Sequence, residues 1–320
     1  MDSDSPKLQR LAQHASFMHE IGIALIAASG ILALFIFIPL SPRSQTSNAS
    51  SGSLTSTSIV PQTFAQVPLE AKAAVVYDLA TGETLYAKHA EAQLPLASLT
   101  KLLTVYAALA ELSPNTPIII PADAVHLDGP HVFSAGQTFA LGDLARMTLT
   151  ASLNDGAAAI IEAIAAREGR TQNAALASAA AALGLAQTYA INGHGLDIHA
   201  TVSGGYGSAS DLARLAGALV EQAPAIAQAT TQSSAQAVSE GGTSFKVANT
   251  DPMIDVVPHI LLSKTGYTDL AGGNLVLVFD AGIAHPIAIV VLGSSKKARF
   301  TDGAALVAAT FAHFAGVASL

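Results

Sequence analysis

The chain contains no cysteine. Disulfides, thiolate metal sites, cysteine nucleophiles and a lipidated cysteine anchor are therefore excluded together. The lack identifies no compartment, but it fits a protein that works outside the cytoplasm without disulfides. Charge is scarce as well. Asp, Glu, Lys and Arg make up 12% of the 320 residues, with 23 acidic residues against 15 basic ones. A net charge of −8 and a pI near 5.6 leave no electrostatic case for a nucleic-acid partner. At 51% hydrophobic residues the bulk of the chain is not of disordered type. The length suits one large domain or two ordinary ones, and no internal repeat is visible.

What is present begins with a polar stretch of mixed charge, 1–20. Ile21 to Leu40 then runs without a charged residue. That is long enough to cross a bilayer as a helix. Ser41-Pro42-Arg43 follows with no Ala-x-Ala site nearby, so the run reads as a retained signal anchor in preference to a cleaved signal peptide. Lys7 and Arg10 against Arg43 give a slight positive-inside bias. The expected layout is a cytoplasmic tail at 1–20 and a single-pass anchor in the cytoplasmic membrane at 21–40. A flexible Ser/Thr-rich linker at 41–66 then leads to an extracytoplasmic folded domain at 67–320.

Within that domain Ala73–Asp78 and Thr84–Ala87 read as a β-hairpin turned at Ala80-Thr81-Gly82-Glu83. A helix is expected from about Ser98 toward Pro114, and helices over 141–153, 154–168 and 173–183, the last capped by Gly184. Ser210-Asp211 is expected to cap another helix, reaching Glu221. Three β-like runs follow at His259–Ser263, Asn274–Asp280 and Ile287–Leu292, then a last helix over 301–314. Two strands from the front and three from the back make one sheet with helices around it, an α+β arrangement.

The chemistry centres on Pro95-Leu96-Ala97-Ser98-Leu99-Thr100-Lys101. Ser98 falls in the first helical turn, where free N–H groups favour developing negative charge. Lys101 shares its face. A serine is a weak nucleophile until a base takes its proton, and a lysine serves as that base only where burial or another cation depresses its pKa. Ser-x-x-Lys alone is weak, since Ser294 and Lys297 repeat it. Ser152-Leu153-Asn154 lies at a helix junction, and Lys264-Thr265-Gly266 at a strand end, where the lysine supplies the second cation. Glycine there lets a substrate backbone lie close.

As an ordered set these motifs resemble the penicillin-recognising serine D,D-peptidases, in particular the D-alanyl-D-alanine carboxypeptidases and endopeptidases. Val76 to Leu85 is similar to the family's opening hairpin, Asn192-Gly193-His194-Gly195-Leu196-Asp197 to its Asn-x-His-Gly-Leu-Asp loop, and Lys264 to Leu275 to its Lys-Thr-Gly strand and turn. The likeness covers roughly 70–315. It implies a β-lactamase/transpeptidase-like fold, with a five-stranded antiparallel sheet, packed helices and a helical subdomain. It also implies cleavage of peptidoglycan pentapeptide or cross-linked peptide, inhibition by β-lactams, and no cofactor or metal. Ser98 would form the acyl-enzyme, with Lys101 as base. Ser152 would relay a proton to the leaving amine, and Asn154 would hold the substrate backbone. Lys264 would keep Lys101 near neutral, and Thr265 would bind the terminal carboxylate. Gly266 would admit the substrate, and the N–H groups of Ser98 and Tyr267 would form the oxyanion hole.

Two departures stand out. The middle motif is Ser-Leu-Asn instead of Ser-Asp-Asn. The arginine that some relatives carry on the strand after Lys-Thr-Gly has no counterpart around Leu292-Gly293-Ser294-Ser295. A class A β-lactamase would need a deacylating glutamate, and 187–197 holds none. A catalytically inactive, membrane-tethered peptidoglycan-binding protein is a further alternative, opposed by the complete polar set. His126 with His131 and His194 with His199 raise a metal site. Their five-residue spacing and loop setting make ordinary loop histidines the better reading.

Overall fold

The structure is a computed structural model and describes residues 63–65, 67–282 and 284–317. The expected tail, membrane anchor and nearly all of the linker lie outside the described residues, among which no helix is long and apolar enough to cross a membrane. Phe64, on the linker side of the expected boundary, is 1% exposed, with its ring 5.8 Å from Tyr86. Packing therefore begins ahead of Val67.

Five strands build the central sheet: β1 (Ala73–Asp78), β2 (Thr84–Lys88), β3 (Ile260–Thr268), β4 (Gly272–Asp280) and β5 (Pro286–Ser294). Their order is β3-β4-β5-β1-β2, antiparallel throughout, so the front hairpin joins the rear meander through the pairing of Ala73 with Leu292 and Asp78 with Ile287. Side chains alternate between two cores, as strand geometry requires. Val75, Val276, Val278 and Val290 face the helical region, while Val76, Leu277, Phe279, Ile289 and Val291 face the final helix.

The helices are α1 (Thr100–Glu111), α2 (Leu141–Ala151), α3 (Asn154–Glu168), α4 (Gln172–Ala182), α5 (Ala209–Gln222), α6 (Pro224–Ala229) and α7 (Ala298–Val317). Gly184 follows α4 at φ +64°, the left-handed end expected of it. The cap of α5 differs from expectation: the Ser208 hydroxyl accepts from Asp211 N at 3.1 Å. Asp211 instead turns its carboxylate to Gln187 N and the Thr188 hydroxyl. Ala298 starts α7 three residues before the expected Thr301, with Ala298 N donating to the Ser295 hydroxyl at 3.1 Å.

Two elements lie between the helix expected to reach Glu221 and the first of the three β-like runs, where the sequence pattern predicts none: α6, and a hairpin of Ser234–Val238 with Ser244–Ala248. Neither its serines nor its alanines favour a strand. Phe245 holds it instead, its ring 5.4 and 5.5 Å from those of Phe133 and Phe139.

Candidate active site

Ser98 lies in a 3-10 turn, Ala97–Leu99, that leads into α1, not in the first turn of the α-helix itself. The preceding Ala97 is fully buried at φ +49°, a left-handed conformation that costs about 1 kcal/mol or more in a residue with a Cβ. Three contacts hold it. Leu96 N donates to Gly205 O at 2.9 Å, Asn274 Nδ2 donates to Pro95 O at 3.0 Å, and the Thr100 hydroxyl donates to Ala97 O at 2.8 Å.

Lys101 is 0% exposed. Its Nζ lies 2.9 Å from Ser98 Oγ, 2.7 Å from Asn154 Oδ1 and 2.7 Å from His194 O. Burial, then the charge of Lys264, pulls its pKa well below the ordinary lysine value, against the opposing pull of Asp155. Two of its three neighbours are carbonyl oxygens, which only accept. A neutral amine spends both N–H groups on them and turns its lone pair to Ser98. The geometry thus makes Lys101 able to take the serine proton.

Asn154 opens α3, and its amide also donates to Asp128 O at 2.5 Å. Ser152 ends α2 in the left-handed region, φ +60°, where its hydroxyl accepts from Lys264 Nζ at 2.9 Å. Lys264 is 1% exposed and also donates to Thr265 O at 2.7 Å. Burial, then Arg299, lowers its pKa to about 7, while Asp251 raises it. Lys264, Thr265 and Gly266 lie in the middle of β3, not at its end as the sequence suggested. Among the described residues this is the free edge of the sheet, with β3 paired to β4 alone. A Cβ on Gly266 would stand 3.0 Å from Leu96 O and 3.3 Å from Ser98 N. The glycine is what lets the edge strand approach the Ser98 turn. Tyr267 is 40% exposed and lies beside a cleft of 760 Å³ lined also by Asp128, His194, Leu196 and Asp197.

The 192–197 loop has its own logic. Asn192 Oδ1 accepts from Gly195 N at 2.7 Å and its Nδ2 donates to Leu196 O at 3.1 Å, closing the turn. Gly193 O then accepts from the Thr104 hydroxyl at 2.7 Å while His194 O accepts from Lys101. His194 Nδ1 accepts from Leu196 N at 3.2 Å, so its proton sits on Nε2. Burial, then Lys101, lowers its pKa from 6.5 to about 4. The native state then binds fewer protons than the unfolded chain between these values, so stability falls as pH drops from 6.5 toward 4. His194→Gln is expected to lessen that fall. Melting temperatures of both proteins at neutral pH and near pH 4 measure it, and equal drops would clear His194 of the effect.

Two residues went unnoticed in the sequence. Arg299, in the first turn of α7, is 8% exposed and donates through Nη1 to Gly266 O at 2.5 Å, and its Nε is buried without a partner. A guanidinium thus does stand beside the Lys-Thr-Gly strand, from the helix after β5 and not from the strand. Asp251, 3% exposed, lies behind β3. The decoy pair does not form: Ser294 donates to Asp302 and Lys297 is exposed. Among the described residues no group of three or more His, Cys, Asp or Glu could hold a metal. His131 Nδ1 pairs with Gly129 O at 2.8 Å.

Solved structures share this architecture. One is a D-alanyl-D-alanine carboxypeptidase from Mycobacterium tuberculosis, 26% identical, with a TM-score of 0.67 over 77% of this chain and 92% of that one. Another is penicillin-binding protein D2 from Listeria monocytogenes in its ampicillin-bound form, 25% identical, TM-score 0.65, over 76% and 98%. The fold is thus that of the penicillin-binding and transpeptidase proteins, α+β with a five-stranded antiparallel sheet. Residues 60–296 match the family Peptidase S11, D-alanyl-D-alanine carboxypeptidase, and the chain belongs to that family. Among curated relatives it is 30% identical over 251 residues to the carboxypeptidase DacD of Salmonella typhimurium, across 74% of this chain and 62% of that protein. It is also 30% identical over 262 residues to a D-alanyl-D-alanine endopeptidase of Pseudomonas aeruginosa, across 79% and 82%.

Proposed function

We propose that this protein is a serine-type D-alanyl-D-alanine carboxypeptidase acting on peptidoglycan stem peptides through an acyl-enzyme at Ser98. The observation that carries the reading is the Lys101 amine, fully buried and shared between Ser98 Oγ, Asn154 Oδ1 and His194 O. Lys101 takes the Ser98 proton as Oγ bonds to the carbonyl carbon of the penultimate D-alanine. The oxyanion is met by the N–H groups of Ser98 and Tyr267. Ser152, hydrogen-bonded to the Lys264 ammonium, passes a proton to the departing amine, and the C–N bond breaks. Water then releases the shortened peptide. Thr265 binds the terminal carboxylate, and Arg299, with its unpartnered Nε, supplies the guanidinium that the sequence reading missed.

The endopeptidase reading uses the same residues on a cross-linked peptide, and the match to the Pseudomonas endopeptidase over 82% of its length keeps it open. The apolar run 21–40 supports anchoring in the cytoplasmic membrane with the folded unit outside, where that substrate lies.

The test has two parts. Purified protein is expected to release D-alanine from a pentapeptide, and a cross-linked dimer decides between exo- and endo-cleavage. Intact-mass measurement after incubation with a penicillin is expected to give one adduct, absent from Ser98→Ala. Absence of both cleavage and adduct would refute the reading and favour a binding protein. Rapid drug turnover without an adduct would favour a β-lactamase.

A further inference from the structure

A second hydroxyl stands against Thr265. Thr250 Oγ1 lies 2.8 Å from Thr265 Oγ1. Thr265 is 4% exposed and Thr250 is open to solvent, so the pair stands where the edge strand meets the surface.

The segment that carries Thr250 is fixed from both sides. Asn249 donates through Nδ2 to Thr230 O at 2.7 Å and Gln232 O at 2.8 Å, and its Oδ1 accepts from Asp251 N at 2.9 Å. Asp251 Oδ2 accepts from the Ser263 hydroxyl of β3. Thr250 N donates to Thr150 O at 3.2 Å, in the last turn of α2 and two residues before Ser152. The Thr250 oxygen therefore cannot leave Thr265 without disturbing contacts to both β3 and α2.

Proton counting gives this contact a direction. A hydroxyl carries one proton and two lone pairs, and a carboxylate only accepts. At 2.8 Å one threonine donates to the other. Were Thr265 the donor, it would turn a lone pair toward an arriving carboxylate. With Thr250 as donor, the Thr265 proton is left for the carboxylate, and the bond that Thr265 accepts strengthens the one it donates.

We propose that Thr250 is a positioning residue for the carboxylate end of the substrate: its hydroxyl donates to Thr265 Oγ1 and so aims the Thr265 proton at the terminal carboxylate. This rests on the acyl-serine reading above, in which Thr265 binds that carboxylate. Thr250 acts through Thr265, so loss of its hydroxyl weakens recognition of the negative charge and spares the chemistry at Ser98.

The test compares acylation of the full chain by penicillin and by penicillin methyl ester, which lacks the charge, with intact mass followed over time. Thr250→Val keeps the shape and removes the hydroxyl. It is expected to slow acylation by penicillin about fivefold, the scale of one hydrogen bond, and to leave the ester rate unchanged. Thr250→Ser is expected to restore the penicillin rate. In Thr265→Val the hydroxyl that Thr250 serves is gone, so adding Thr250→Val is expected to cost nothing further. An equal loss with acid and ester marks a purely structural role and overturns the proposal. So does an unchanged penicillin rate, a serine that fails to rescue, or losses that add in the double variant. A wild type that penicillin does not acylate refutes the acyl-serine reading and this proposal with it, whereas the other failures leave that reading standing. Should Thr250→Val fail to fold, Thr250→Ala carries the same comparison.

Discussion

Lys101→Met is expected to slow acylation of Ser98 by at least about a hundredfold. Positioned general bases contribute about 10²- to 10⁴-fold, and Lys101 Nζ is the basic group hydrogen-bonded to Ser98 Oγ. Lys101→Arg separates the two things a lysine offers. A guanidinium keeps the positive charge but gives up no proton in proteins, so it cannot serve as base. Arginine is therefore expected to be as inactive as methionine. An arginine variant that kept a tenth of the rate would mean that charge, not basicity, is what Ser98 needs. Because nucleophile and base act as a unit, Ser98→Ala combined with Lys101→Met should release D-alanine no more slowly than Ser98→Ala alone. Penicillin labelling over time measures the two lysine variants and D-alanine release the serine ones, with a thermal melt to verify folding.

The second large effect is structural and falls on Gly195. Its φ is +78°, and an added Cβ would stand 2.0 Å from Ala97 O and 2.8 Å from Thr100 Oγ1. Ala97 is the residue before Ser98 and is itself held at positive φ. Neither backbone can yield without moving the reactive serine. Gly195→Ala is expected to cost about 3 to 4 kcal/mol, the sum of a left-handed alanine and an overpacked contact, and to abolish labelling at Ser98. Gly184→Ala is the control. Its φ is +64° with nothing within 4 Å of the added methyl, so only about 1 kcal/mol is expected. Urea unfolding of the pair isolates the contact, and equal losses would mean that backbone conformation alone matters at Gly195.

The contrast between these glycines also indicates what a sequence can convey. Gly184 was legible because a helix end needs a left-handed residue, a local rule. The sheet and the order of its helices were legible too, because period-two and helical patterns are written into neighbouring residues. The site divides in the same way. Ser98 with Lys101, Ser152 with Asn154, and Lys264 to Tyr267 are short motifs whose members sit together in the chain. Arg299 meets Gly266 O and Asp251 meets the Ser263 hydroxyl across tertiary contacts that no spacing encodes. His194 meets Lys101 through a backbone carbonyl, which any residue would carry. The 234–248 hairpin escaped for a related reason, since its aromatic support comes from Phe133 and Phe139 in another part of the chain.

The pairing of β1 with β5 sets the time at which the site comes into being. Ala71 N and Asp302 Oδ2, hydrogen-bonded beside that seam, are 231 positions apart. The turn bearing Ser98 is braced by Asn274 in β4 and crowded by Gly266 in β3, both from the far end of the sequence. Contacts between residues so distant form late and slowly, because the intervening loop must first be closed. Until those contacts close, Ser98 and Lys101 lack both the Asn274 brace and the edge strand. Any reagent that captures Ser98 covalently is in effect a clock for the final stage of folding, and a half-made chain carries a serine with ordinary reactivity.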